Sequence, residues 1–125
     1  MEKLQKFQDD RLIIQIEESS YLIKIIWLGE CSSRNPSLFL APILEEQYKI
    51  SRAQLKKIIF DFTKTQYMNS AGIIPIIKFL KKIGDDGGSI QVLYNRFERW
   101  QSVLIGELKI FETEDNRIQI MGVDR

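Results

Sequence analysis

Two stretches near the start of the chain alternate between apolar and polar positions. Arg11–Glu17 (RLIIQIE) and Tyr21–Trp27 (YLIKIIW) are rich in β-branched and aromatic residues, and the polar stretch Glu18-Ser19-Ser20 separates them. Residues two apart on a strand share a face, so this pattern predicts a β-hairpin. Met1–Asp10 (MEKLQKFQDD) has no apolar run and reads as a short N-terminal extension without a secretory signal. Leu28–Ser33 reads as a loop. Asn35-Pro36 then signals a helix start, with Asn35 as N-cap and Pro36 in the first helical position. From Ser37 to Tyr48 the apolar residues Phe39, Leu40, Ile43 and Leu44 have helical spacing, and Pro42 inside the run predicts a kink or restart.

Lys57–Thr63 (KIIFDFT) is almost continuously apolar, as in a central strand. Lys64–Met68 crosses to Asn69-Ser70-Ala71-Gly72. A helix is predicted from about Ile73, with Ile73, Ile76, Ile77, Leu80 and Ile83 on one face and Pro75 in its first turn. Gly84-Asp85-Asp86-Gly87-Gly88 stops it. Ser89–Tyr94 predicts a strand. Arg96–Leu108 predicts a helix with Phe97, Trp100, Val103, Leu104 and Leu108 on one side, and Arg117–Met121 a last short strand. The order β-β-α-β-α-β-α-β, with right-handed crossovers between parallel strands, implies an α/β fold: a mixed sheet with helices packed mainly on one side. The whole chain, 1–125, is expected to form one domain.

Composition narrows the chemistry. The 125 residues include 18 basic and 17 acidic side chains, a net charge of +1, which argues against wholesale binding of nucleic acid or anionic membrane. There is no histidine, so histidine bases, triads, metal ligands and phosphohistidine are all excluded. The single cysteine, Cys31, can form neither an internal disulfide nor a cysteine zinc site, and the composition suits a reducing cytoplasm. Apolar runs such as Leu22–Leu28 and Ile73–Leu80 are each broken by a lysine, far short of the roughly 20 residues of a membrane span. Charge is uneven: residues 51–100 hold nine basic and four acidic side chains. Lys78, Lys81 and Lys82 lie opposite the apolar stripe, as a solvated helix face or a basic patch for an acidic partner.

The most informative segment is Phe60–Gly72 (FDFTKTQYMNSAG), where a buried strand leads through a short loop to a small-residue turn that opens a helix. Helix N-termini present free N–H groups and a positive dipole end. A hydroxyl there, Ser70, either caps the helix or carries a phosphate that this environment stabilises. Asp61, Asp85 and Asp86 are the carboxylates available for acid–base work or a metal. Gly84–Gly88 lacks the Lys-Ser/Thr of a phosphate loop and precedes a strand. As a functional thiol Cys31 would need a lowered pKa, which no histidine can provide, so it reads as a packing residue, and Trp27 and Trp100 read as core aromatics.

The element order and the junction Met68-Asn69-Ser70-Ala71-Gly72 resemble the STAS family, the anti-sigma-factor-antagonist fold, over about residues 10–121. Typical antagonists have Asp-Ser-Ser-Gly here and are phosphorylated on the second Ser. In this chain those places hold Asn69 and Ala71, and alanine accepts no phosphate. A closer likeness is to the SiaC-like branch, whose turn is apolar-Asn-Thr-Ser with the Thr phosphorylated; Met68-Asn69-Ser70-Ala71 matches with Ser70 in the Thr place. The loop Gly29-Glu30-Cys31-Ser32-Ser33-Arg34-Asn35-Pro36, the pair Gly87-Gly88 and Tyr94-Asn95-Arg96 agree as well.

That resemblance implies a non-enzymatic, cofactor-free and metal-free regulatory module in the cytoplasm, a partner-switching phosphoprotein with protein partners: a serine kinase, a phosphatase and a signalling target. The target would be a diguanylate cyclase in biofilm control or an anti-sigma-type kinase, and neither nucleic acid binding nor membrane insertion is expected. Ser70 would be the phosphoacceptor. Asn69, Ala71 and Gly72 of the turn, with Glu30, Ser32, Ser33 and Asn35 of the loop, would form the partner-binding surface. An alternative remains: Ser70-Ala71-Gly72 also resembles the Ser/Thr-Ala-Gly turn of cytoplasmic STAS subunits of phospholipid-transport ABC systems.

Overall fold

The computed structural model describes residues 2–124. The predicted hairpin forms from β2 (Leu12–Glu18) and β3 (Leu22–Cys31), joined at Ser19, whose Oγ accepts from Leu22 N–H at 3.2 Å. The short N-terminal extension before it takes on regular structure. Lys3–Asp9 form β1, an edge strand paired antiparallel to β2 along its whole length. Only Phe7 of β1 packs on the core, and so the segment shows no apolar alternation in sequence.

The remaining elements are α1 (Ser37–Gln54), β4 (Lys57–Asp61), β5 (Thr65–Met68), α2 (Ser70–Asp86), β6 (Ile90–Asn95), α3 (Arg99–Leu104), a 3₁₀ turn over Gly106–Phe111, and β7 (Ile118–Val123). The sheet runs β1-β2-β3-β4-β6-β7, with β5 alongside β3. β1, β2 and β3 are antiparallel, and β3, β4, β6 and β7 are parallel. The parallel strands advance steadily across the sheet, so right-handed crossovers put the helices on one face. This is the mixed, one-sided STAS-like arrangement that the sequence implies.

Strand alternation decides what that face buries. Leu12, Ile14 and Ile16 of β2, Ile23, Ile25 and Trp27 of β3, Ile58 and Phe60 of β4, and Ile90 and Val92 of β6 all point under the helices. Their alternates Ile13, Ile26, Ile59 and Leu93 lie half-buried on the opposite face. Phe60 is the hub. It stacks on Phe79 of α2 at 5.4 Å and meets Trp27 and Phe62 edge-on at 5.4 and 5.9 Å. Trp27 is thus a core aromatic, as expected, while Trp100 is half-buried against the core.

Several boundaries differ from expectation, each for a local reason. α1 begins at Ser37 with Pro36 as its cap residue and no capping side chain; Asn35 contributes only its carbonyl, to Leu38 N–H. Pro42 leaves α1 uninterrupted, because the carbonyl it leaves without a donor belongs to Leu38, itself 77% exposed. α2 starts at Ser70, ahead of the predicted Ile73, so Pro75 lies in its second turn, and Ile73 and Ile77 are half-buried while Ile76, Phe79, Leu80 and Ile83 face the core. Gly87 at φ 73° ends it, with Gly88 N–H bonded to Ile83 O at 2.9 Å. The long third helix is absent. Asn95 folds its Oδ1 onto Phe97 N–H at 3.0 Å, which delays α3 to Arg99, and Phe97 and Val103 are exposed. Buried Gln101 takes the place of an apolar residue, its amide bridging Asn95 N–H at 2.7 Å and Thr65 O at 3.0 Å.

If Phe60 is the hub, Phe60→Ala should cost about 3–5 kcal/mol in urea unfolding. Ile74→Ala, on an exposed helix face, should cost less than about 0.5 kcal/mol.

Candidate functional site

The site forms where β3 outruns its neighbour. β3 has ten residues and β4 five, so the far end of β3 pairs with β5 instead. The loop predicted over Leu28–Ser33 is therefore strand as far as Cys31. Gly29 makes this possible. Its φ is 81° and a Cβ there would lie 2.0 Å from Arg11 O, so the β2–β3 edge closes only over glycine. Glu30 N–H then bonds Arg11 O at 3.1 Å, and the Glu30 carboxylate pairs with the Arg11 guanidinium at 3.3 Å.

β5 brings Met68 opposite Cys31, and Asn69 N–H bonds Cys31 O at 2.9 Å. Asn69 then works in two directions. Its Oδ1 accepts from Gly72 N–H at 2.9 Å, capping α2, and its Nδ2 donates to Ser33 O at 2.9 Å, tying the helix start to the β3–α1 loop. Ser33 Oγ in turn accepts from Asn35 N–H at 3.1 Å.

The N-cap role open to Ser70 in the sequence thus belongs to Asn69. Ser70 is the first residue of the helix and exposed, with its hydroxyl free of the capping task. Ser32, Ser33 and Asn35 are exposed beside it, and Glu30, Asn69 and Ala71 are half-buried. Gly72 is buried: a Cβ there would meet Met68 Cγ at 2.7 Å and Cys31 Sγ at 3.0 Å. Its absence of side chain lets α2 lie against β3 and β5. Sequence reasoning did not include Tyr67, Leu38 and Ile74, large apolar residues that stand exposed at this end of the molecule. No residue pattern marked them, since Leu38 and Ile74 continue ordinary apolar runs and Tyr67 follows a polar stretch.

Cys31 is buried, and desolvation, followed by the nearby charge of Asp9, pushes its thiol pKa upward. Asp61 is also buried and tied down: Oδ1 accepts from Thr63 N–H at 2.9 Å and Thr63 Oγ1 at 2.6 Å, and Lys24 Nζ lies 3.7 Å from Oδ2. Asp85 and Asp86 are at the far end of α2, where Asp86 accepts from Tyr48 Oη at 3.1 Å. The three carboxylates therefore do not converge, and among the described residues no cluster of three or more His, Cys, Asp or Glu side chains could hold a metal. No helix among the described residues is long and apolar enough to cross a membrane.

The mixed sheet with helices on one face is a STAS-like fold. Among solved structures the chain is similar to SiaC of Pseudomonas aeruginosa, with a TM-score of 0.66 over 98% of this chain and 99% of that one, at 11% identity. It is also similar to a chain in the complex of the diguanylate cyclase SiaD with its activator SiaC from Pseudomonas aeruginosa, with a TM-score of 0.61 over 94% and 99%, at 15% identity. At such identities the likeness is one of fold, and it agrees with the branch picked out by the turn and loop residues. No family model matches the chain, and no curated protein matches it in sequence.

Asn69→Ala should destabilise the fold by about 1 kcal/mol through the lost cap, measured by urea unfolding. The raised thiol pKa of Cys31, together with its burial, predicts that iodoacetamide at neutral pH alkylates the native chain far more slowly than the urea-unfolded one; equal rates would contradict the packing of α2 on Cys31.

Proposed function

We propose that this chain is a non-enzymatic regulatory module that binds a signalling protein, a diguanylate cyclase by analogy with SiaC, and that phosphorylation of Ser70 by a serine kinase, reversed by a phosphatase, releases that partner. The observation that carries this reading is the division of labour at the head of α2: Asn69 caps the helix, which leaves the exposed Ser70 hydroxyl open to modification. The fold shared with SiaC supports it, because one of the similar structures is a complex between such a protein and the cyclase it activates.

The physics of the switch is local. Phosphate adds about −1.5 to −2 charge at pH 7. At the first turn it meets free N–H groups and the positive end of the helix dipole, worth about 0.3–1 kcal/mol, so the fold tolerates it. A partner packed over the turn would bury a dianion, which is costly without a compensating cation. Ser33, Asn69 and Ala71 frame the hydroxyl and would lie under the same partner.

Ser70→Asp should keep the melting temperature of the wild type and lose the partner in a pull-down from the native host. Ser70→Ala should keep the partner and take no phosphate there. If phosphosite mapping finds phosphate only elsewhere, and Ser70→Asp retains every wild-type partner, Ser70 is no switch.

A further inference from the structure

α1 follows β3 and α2 follows β4 and β5, so the two helices run in the same direction and begin at the same end, beside Ser33 and Asn69. Between them runs an open groove of about 280 Å³. Its apolar lining is Ala41 and Leu44 of α1 with Pro75 and Phe79 of α2. At the head of the two helices Leu38 and Ile74 are 77% and 48% exposed.

The walls differ in charge. Along α2, Ser70, Ile74, Lys78 and Lys82 recur every four residues and so share one side of the helix. Lys78 and Lys82 line the groove, and Lys81 is exposed next to them. None of the three makes an ion pair with a described residue. Lys82 Nζ lies 5.4 Å from the centroid of the Tyr48 ring. The α1 wall carries the opposite sign, at Glu45.

We propose that this groove receives an amphipathic helix of the partner protein, acidic along the edge that faces α2 and neutral or basic along the edge that faces Glu45. The inference rests on the reading of the chain as a protein-binding module, and does not depend on phosphorylation of Ser70. A channel lined from Ser37 to Glu45 of α1 and from Pro75 to Lys82 of α2, roughly 12 Å long at about 1.5 Å per residue, suits a helix anchored by apolar residues at i, i+3 or i+4, and i+7. The free lysines supply the complement to acidic side chains. A uniformly anionic surface, such as a phospholipid headgroup layer, would press its charge against Glu45 as well. The acidic edge of the helix would also pass the head of the lysine stripe at Ser70, so that a phosphate there would repel it.

The test is to pan a displayed library of amphipathic helical peptides, randomised for charge at the edge positions, against the full chain, and then to measure the recovered peptides by fluorescence anisotropy. Peptides with one acidic edge should be enriched. Lys78→Glu combined with Lys82→Glu should weaken them at least about tenfold and favour the Lys-for-Glu version of the same peptide. Ala41→Arg, which fills the groove, should abolish binding while circular dichroism and melting temperature stay those of the wild type. The proposal is overturned if no acidic-edged peptide is enriched, or if the recovered peptides bind the lysine-reversed and Ala41→Arg chains as well as wild type. It is equally overturned if phosphatidylserine vesicles bind through these lysines and no peptide does. A peptide held equally by wild type and Ser70→Asp but lost in Ala41→Arg upholds the groove and counts against the switch alone.

Discussion

The pairing of Cys31 with Met68 is the contact on which the candidate site depends. It exists because β3 continues past the end of β4 and leaves backbone groups that β5 must satisfy. Once β5 is docked, Asn69 has little freedom: its N–H is held by Cys31 O, and its side chain reaches both Gly72 N–H and Ser33 O. The start of α2 and the loop before α1 therefore form one hydrogen-bonded unit. Gly29 and Gly72 are the two places where a side chain would prevent this, the first through a positive φ and a contact with Arg11, the second through a close approach to Met68 and Cys31.

That unit stands on a rigid base. Trp27, Phe60, Phe62 and Phe79 interlock directly beneath the end of the sheet where the site lies, and Thr65 Oγ1 donates to Trp27 O at 2.8 Å to hold β5 down. Gln101 fastens the far side of β5 through Thr65 O. At the other margin of the sheet, the outer N–H groups of β7 are taken by side chains: Ile118 by Thr113 Oγ1 at 3.1 Å and Ile120 by Glu112 Oε2 at 3.0 Å. This edge is closed to a further strand, as edge strands of stable sheets commonly are.

The carboxylates Asp61 and Asp86, near strand and helix ends, are each held by the fold. Asp61 is enclosed by Thr63 and Lys24, and Asp86 serves Tyr48. Each of these acids already has a structural partner, so their sequence positions near strand and helix ends reflect folding needs. The exposed groups around Ser70 are hydroxyls, an amide, small residues and isolated apolar side chains.

The sequence by itself determined the order of the elements it marked, though not β1 or β5, together with the one-sided burial of the sheet and the place of Ser70 at the head of a helix, because these follow from periodicity and from short-range signals. The β2–β3 alternation, the apolar run of β4, the Gly87 stop and the Asn-Ser-Ala-Gly turn all act within a few residues of themselves. Only the tertiary structure decided what depends on distant partners. β1 has almost no apolar pattern and is a strand because β2 offers it an edge. The upper part of β3 is strand because β5, some 36 residues later, pairs with it. The third helix shortened because Asn95 and Gln101 found polar partners that outweighed its apolar period. The choice of Asn69 over Ser70 as the cap was settled in the same way. Both residue types cap helices well, and the one that could also reach Ser33 took the position.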